Sequence, residues 1–303
     1  ALLEGGAGIE TLQGLTTLTI RQATVSTLAA AVTVTLMTFL ALPVSTSQAA
    51  VGAILGIGFY NRHLDVAGLG KVVLCWFGTP VGGLIIAAVL YKILAALYNH
   101  SRMDLFRSDI FLRIALFIAG SYAAYALGAN NVANVTAVFV GAGQLSLFAA
   151  TLIGGLSICS GILTMSRPVM ETVGRKLVRL DPFSALVVVL AEAVTVHFYT
   201  MLGVPVSTSQ AVIGAVLGVG MIKGIQTVSR RTLGGIFIGW FLTPVIACFL
   251  SISLYYAINL EYVPEGAKEK RATLFRPLPP TDDRSVPLEA DPIAGLYLSD
   301  PLT

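Results

Sequence analysis

The strongest constraint on this chain is its series of long apolar runs. Six of them hold roughly the 20 apolar residues that a helix needs to cross the hydrocarbon core of a bilayer; they are residues 23–42, 69–97, 110–127, 145–163, 183–204 and 233–260. Only 12% of the residues are charged, whereas a soluble domain usually carries about a quarter. The sequence therefore predicts an all-α, multi-pass protein of the cell membrane. The net charge of +3 gives no argument for nucleic acid as a partner.

Three further apolar segments are too short to span a bilayer. Residues 44–60 and 206–222 each begin with hydroxyl side chains, and residues 132–143 form a still shorter piece. Irregular backbone at membrane depth is tolerated only where protein or water satisfies its polar groups. We therefore expect broken or re-entrant helices at the midplane of the bilayer.

The chain contains two copies of one unit. Residues 43–58 read PVSTSQAAVGAILGIG and residues 205–220 read PVSTSQAVIGAVLGVG, with 12 of 16 positions identical and an offset of 162. WFGTP at residues 76–80 and WFLTP at residues 240–244 follow at an offset of 164, and IETL at residues 9–12 matches METV at an offset of 161. Repeated halves with interrupted hydrophobic segments at matching positions are typical of secondary transporters, whose substrate lies between the halves.

The repeat suggests boundaries for the units. We expect a first membrane repeat at 1–97, a linker loop at 98–109, a second membrane repeat at 110–264, and a polar, proline-rich tail at 265–303. The second repeat contains GANNVAN at residues 128–134, whose counterpart in the first repeat would precede residue 1. We therefore expect the first repeat to lack its start.

The PVSTSQ stretches have the chemistry of an anion site. A helix start carries unpaired N–H groups and a partial positive charge, and hydroxyl groups add donors for an oxyanion such as phosphate or sulfate. Two converging starts would hold one ligand between six side chains, which are Ser45, Thr46, Ser47, Ser207, Thr208 and Ser209. The alternative is structural: the serines cap the helices, and the glycines that follow at GxxxG spacing serve helix packing.

Other polar residues suggest a cation. The amide oxygens of Asn130, Asn131 and Asn134 suit a hard cation such as sodium, although a polar loop would use the same residues. Glu10 and Glu171 occupy matching positions and would bind a proton or cation, or stabilise a loop. Glu192 lies in an apolar run and is either functional or paired across helices.

These motifs together resemble the inorganic phosphate transporter family over the chain up to about residue 260. The resemblance implies an inverted-repeat transporter that couples oxyanion entry to a sodium or proton gradient, with family members often forming homodimers. By position it implies substrate binding at the PVST-type motifs. It assigns cation coupling to the asparagines of GANNVAN and to the two Glu-Thr pairs. Asn131 stands where the family has aspartate, and Gln48 and Gln210 stand where many members have histidine.

The function that we predict is secondary active transport of inorganic phosphate, with no cofactor beyond bound sodium. A sulfate permease of the same family is the close alternative, and a passive anion channel is the alternative of a different class. No nucleophile–base pair, metal cluster or nucleotide loop indicates an enzyme. The expected partners are the oxyanion, a coupling cation, the lipid bilayer and a second copy of the chain.

Overall fold

The computed structural model describes residues 2–40, 44–101, 103–171, 180–224 and 230–261, and every regular element in these ranges is a helix. The predicted tail at 265–303 lies outside the described residues. Contacts divide the chain after Asn259, and the first unit, Ala1–Asn259, contains the helices up to the last two residues of α10. In chain order the helices are α1 Gly6–Gln13, α2 Ile20–Phe39, α3 Thr46–Asn61, α4 Val66–His100, α5 Leu105–Gly141, α6 Leu147–Met165, α7 Arg167–Glu171, α8 Pro182–Met201, α9 Thr208–Lys223 and α10 Arg230–Glu261.

Polar side chains fix where most helices begin. Thr19 starts α2 with a capping box that Gln22 completes, and Asp65 and Asp104 accept backbone N–H groups at the starts of α4 and α5. Such caps satisfy donors that the first helical turn leaves unpaired. Gly203, with φ of +71°, lies just beyond the end of α8, in a conformation that glycine adopts without steric cost.

Among the residues that the structure describes, six helices are long and apolar enough to cross a bilayer, in agreement with the six predicted runs. They are α2, α4, α5, α6, α8 and residues 233–259 of α10. By contrast, α3 and α9 have 16 residues each, and at 1.5 Å per residue each is about 24 Å long. That length falls short of the roughly 30 Å of hydrocarbon in a typical bilayer.

The predicted separate segment at residues 132–143 is wrong. Helix α5 runs without interruption from Leu105 to Gly141, so GANNVAN lies on a continuous helix. The backbone carbonyls of this stretch are paired along the helix, and only its side chains offer free polar groups. The connection between α4 and α5 is shorter than the linker predicted at 98–109, because α4 continues to His100 and α5 begins at Leu105.

Helices from the two repeats pack directly against each other. A Cβ atom at Gly214 in α9 would overlap the carbonyl oxygen of Pro80 in α4, and one at Gly52 in α3 would overlap that of Pro244 in α10. Gly52 matches Gly214 in the repeat, and Pro80 matches Pro244. Each short helix therefore packs against a long helix of the other repeat, α3 against α10 and α9 against α4. This packing between the repeats brings the two PVSTSQ stretches together.

Candidate functional site

The first serine of each motif caps its own helix. Ser45 Oγ accepts a hydrogen bond from Gln48 N at 3.1 Å, and Ser207 Oγ accepts one from Gln210 N at 3.2 Å. Both serines are 1% exposed. For these two hydroxyl groups the structural alternative therefore holds, and their main contribution is to the starts of α3 and α9.

The two helix starts meet at the backbone of Val206. Ser47 Oγ in α3 donates to Val206 O at 2.8 Å, one residue before the cap of α9. On α5, Asn130 Nδ2 donates to the same oxygen at 2.8 Å, and Val206 N donates to Asn130 Oδ1 at 2.9 Å. All three residues are buried, so the junction of α3, α5 and α9 is fixed by hydrogen bonds within the protein.

Beside this junction lies a network that we call the amide–hydroxyl cluster, formed by Thr46, Ser47, Asn131 and Asn134. Asn131 Oδ1 accepts from Thr46 Oγ1 and from Asn134 Nδ2, both at 2.8 Å. Asn134 Nδ2 also lies 3.0 Å from Ser47 Oγ and 3.3 Å from Thr46 Oγ1. Thr46 is exposed, which leaves the cluster accessible from one side.

One oxygen of the cluster is unpaired. Asn134 Oδ1 is buried and has no hydrogen-bond partner among the residues that the structure describes. In the same ranges no three His, Cys, Asp or Glu side chains come together to hold a metal ion. A cation at this place would therefore be bound by amide and hydroxyl oxygens, which suits sodium better than zinc or copper.

The start of α9 carries the other two predicted hydroxyl groups. Ser209 Oγ lies 3.0 Å from Ser207 Oγ. The half-buried Thr208 makes no hydrogen bond to another described side chain or backbone group through its hydroxyl, so this group is available to a ligand. The structure thus brings the asparagines and the α3 hydroxyls into one network, and Ser47 links that network to the start of α9.

The two predicted glutamates lie outside these contacts. Glu10 on α1 is exposed, and its carboxylate forms no hydrogen bond or ion pair within the described ranges. Glu171 Oε1 on α7 lies 3.3 Å from the Nε atom of Arg167, which is one turn earlier on the same short helix. Glu192 is 7% exposed and has no ion-pair or hydrogen-bond partner among the described residues, so the expected pairing across helices is not observed there.

Sequence reasoning missed a second polar group between helices. His197 on α8 lies between Glu4 Oε2, 2.8 Å from its Nε2, and Tyr122 OH, 2.7 Å from its Nδ1. These residues are 193 and 75 positions from His197. No local spacing rule connects them, and the position of His197 in an apolar run was the only available signal.

Comparison with known proteins shows what this chain is similar to. The model of a family described as the phosphate transporter family matches residues 9–106 and 86–251. A predicted phosphate permease of Methanocaldococcus jannaschii is 30% identical over 73% of this chain and 70% of its own length. A predicted phosphate permease of Thermococcus kodakarensis is 32% identical over 67% of this chain and 52% of its own length. The sulfate permease CysP of Bacillus subtilis is 30% identical over 76% of this chain and 64% of its own.

These alignments span between about half and 70% of the relatives' own lengths. Among solved structures, a chain described as the sodium-dependent phosphate transporter superposes with a TM-score of 0.72. The match covers 86% of both chains at 22% identity. At that identity the likeness supports the fold alone.

Proposed function

Because the chain belongs to the phosphate transporter family, we propose that it moves inorganic phosphate across the membrane as a secondary active transporter driven by a sodium or proton gradient. The family and the six membrane-spanning helices make it a multi-pass membrane protein, and the family is one of transporters rather than enzymes. The observation that carries the proposal is the hydrogen bond from Ser47 to Val206, because it brings the two helix starts to one place.

The proposed anion site lies between the starts of α3 and α9. Its donors are the hydroxyls of Thr208 and Ser209 and the backbone N–H groups of both first turns that the serine caps leave free. The hydroxyl of Thr46, which donates to Asn131 in the structure, would join them by turning toward the anion, whereas Ser47 donates to Val206 and holds the two starts together. The positive ends of two helix dipoles favour an anion there, and neither PVSTSQ stretch contains a fixed cation that would hold the anion too tightly for release. Ser45 and Ser207, which cap the helices, support the site by holding these turns in place.

The proposed cation site is the amide–hydroxyl cluster. Asn131 and Asn134 supply amide oxygens, and Asn134 Oδ1 lacks a partner among the described residues. Asn130 contributes indirectly, because both of its polar side-chain atoms are hydrogen-bonded to the backbone of Val206.

The roles of Glu10 and Glu171 in cation coupling remain predictions from the resemblance. Glu10→Gln and Glu171→Gln should each raise the cation concentration needed for half-maximal uptake, and an unchanged requirement in both variants would remove these residues from the proposal.

Sulfate is the second candidate substrate. The similarity to the Bacillus subtilis sulfate permease is as high as that to the phosphate permeases, so overall identity does not separate the two anions. The hydroxyl and amide donors of the site would bind either one.

Uptake into liposomes tests the proposal. The full-length protein is reconstituted, labelled phosphate is supplied with unlabelled sulfate as competitor, and a sodium gradient and a proton gradient are imposed in turn. We expect accumulation against the phosphate gradient with one of the two cations. Flux that depends on neither gradient would indicate a passive channel, and the absence of flux for either anion would refute transport.

Light scattering of the detergent-solubilised protein tests the homodimer that the resemblance implies.

A further inference from the structure

A group of titratable side chains lies where the end of α8 meets α5 and the segment before α1. His197 Nε2 is 2.8 Å from Glu4 Oε2, and His197 Nδ1 is 2.7 Å from Tyr122 OH. Tyr125, three residues after Tyr122 on α5, has its ring centroid 5.7 Å from that of His197 and lies next to Glu4. Four titratable groups from three parts of the chain therefore meet at one place, outside the PVSTSQ stretches and the amide–hydroxyl cluster.

This group can take up a proton without losing a hydrogen bond. Histidine changes its charge between about pH 5 and pH 8. In the neutral form of His197, Nε2–H donates to the Glu4 carboxylate and Nδ1 accepts from Tyr122 OH; in the charged form both nitrogens donate, and the phenol oxygen accepts. Protonation adds the attraction of an ion pair to the contact with Glu4 and so strengthens it. The side chains of His197 and Glu4 are 20% and 39% exposed, so protein does not enclose the pair and a proton can reach it.

Other charges on the surrounding helices are engaged elsewhere or lie farther along them. Those nearest in sequence to this place are Glu10 on α1, Lys71 on α4, Arg113 on α5, Glu192 on α8 itself and Lys223 on α9. Arg113 and Lys223 have ion pairs of their own, and Lys71 hydrogen-bonds to the backbone just beyond α8. None of the five forms a hydrogen bond or an ion pair with His197 in the described ranges. Glu4 is therefore the charged group whose contact responds to protonation of His197.

Glu4 leads directly into α1, which packs beside the proposed anion site. Thr11 Oγ1 on α1 donates to Gly203 O, in the connection between α8 and α9. A Cβ atom at Gly8 would lie 4.0 Å from that of Pro205, the first residue of the second PVSTSQ stretch. The contact between Glu4 and the histidine therefore helps to hold α1 against the residues that precede α9.

We propose that His197, Glu4 and Tyr122 form a proton-binding site whose occupancy is linked to phosphate binding at the starts of α3 and α9. Protonation of His197 strengthens the hold on α1, and α1 in turn supports the start of α9. Because linkage is reciprocal, phosphate binding must favour proton uptake at His197 to the same extent. This inference rests on the proposed function and names a residue that can bind the proton when a proton gradient drives uptake.

Calorimetry in buffers of different ionisation enthalpy tests the linkage, because it counts the protons taken up when inorganic phosphate binds. His197→Gln is the informative variant, since its carboxamide can keep both hydrogen bonds of the neutral histidine but does not titrate. At about pH 7 we expect the parent protein to take up more protons per phosphate than this variant. The change in protonation of phosphate itself is common to both proteins and cancels in the comparison.

The pH dependence of phosphate affinity gives a second readout. Between about pH 8 and pH 5.5 the half-saturating phosphate concentration of the parent protein should fall about three- to tenfold further than that of His197→Gln. Glu4→Gln leaves the histidine without an ionic partner, so it should lose the same pH dependence, and it supplies the comparison if His197→Gln does not fold. His100→Gln, at the exposed end of α4, is the matched control and should keep the proton count and the pH profile of the parent protein.

The outcomes separate this inference from the proposed function. Equal proton counts and parallel pH profiles for His197→Gln and the parent protein would overturn the proton site, while phosphate uptake into liposomes would still support transport. A lower affinity at every pH with an unchanged proton count would make the role of His197 structural and would also overturn the inference. A smaller proton count in His197→Gln, without phosphate uptake into liposomes by the parent protein, would support the proton site and contradict the transport proposal.

Discussion

Asn130 holds the backbone of Val206 with both atoms of its carboxamide, and this contact fixes the start of α9 against α5. Asn130→Ala would leave the buried Val206 N–H unpaired, at a cost of about 1–3 kcal/mol. We expect a lower thermal midpoint in detergent for this variant, whereas Gln144→Ala at an exposed site should not change it. Equal midpoints for Asn130→Ala and the parent protein would show that the contact adds no stability.

Asn131 is the residue at which charge would most affect the amide–hydroxyl cluster. An aspartate there keeps the acceptors for Thr46 and Asn134 and adds a negative charge beside the unpaired oxygen of Asn134. Asn131→Asp should therefore lower the sodium concentration for half-maximal phosphate uptake by about tenfold, a shift of roughly 1.4 kcal/mol in binding free energy.

The matched control for this prediction is Gln144→Asp, which adds the same charge at an exposed position outside the cluster. It should leave the sodium requirement unchanged. Two results would argue against a cation at the amide–hydroxyl cluster. One is that Asn131→Asp leaves the sodium concentration for half-maximal uptake unchanged, and the other is that both variants change it equally.

At the scale of elements, the closest packing is between each short helix and a long helix of the other repeat. Gly214→Ala would place a Cβ atom against the carbonyl oxygen of Pro80, and backbone atoms can move apart only by separating α9 from α4. We expect a loss of about 1–3 kcal/mol, measured as a lower denaturation midpoint. Gly120→Ala in α5 is the control, because its Cβ would meet nothing within 4 Å and alanine favours a helix.

Asp181, at the start of α8, forms an ion pair with Lys223 at the end of α9. Partial burial acts to raise the pKa of Asp181, but hydrogen bonds from Lys223 and Ser184 outweigh it and lower the pKa from 3.8 to about 2. Since the folded pKa is depressed, this carboxylate contributes stability above about pH 4 that is lost as the pH falls toward about 2. Its side chain is 42% exposed, so solvent screening keeps the contribution below about 1 kcal/mol.

Asp181→Asn should make the thermal midpoint less sensitive to pH in this window than it is in the parent protein. Thermal unfolding at about pH 4 and at about pH 2 measures the difference. An identical pH dependence in the two proteins would mean that the depressed pKa of Asp181 does not stabilise the fold.

At the scale of the whole molecule, the sequence was sufficient to predict the six long spans and the two copies of the PVSTSQ stretch. Apolar run length identified the six spans, and the serine before each short helix identified the starts of α3 and α9, because both signals are local. The break predicted near Val132 was wrong, because a glycine and three asparagines are tolerated in a helix whose neighbours accept their side chains.

Contacts over long sequence distances could not be predicted in the same way. Asn130 and Val206 are 76 positions apart, and Ser47 is 159 positions from Val206, so no periodicity relates them. The contact between His197 and Glu4, which are 193 positions apart, likewise requires distant parts of the chain to be folded against each other. The repeat indicated that equivalent residues exist, but only packing shows which of them face one another.

The central claim is that the starts of α3 and α9 bind one shared anion, and a double-mutant cycle in phosphate affinity tests it most directly. Phosphate binding is measured by calorimetry for the parent protein, Thr46→Val, Thr208→Val and the double variant. If both hydroxyls act on one phosphate ion, the two losses should differ from additivity by more than about 0.5 kcal/mol. Losses that add within about 0.3 kcal/mol would indicate two independent places and contradict the claim.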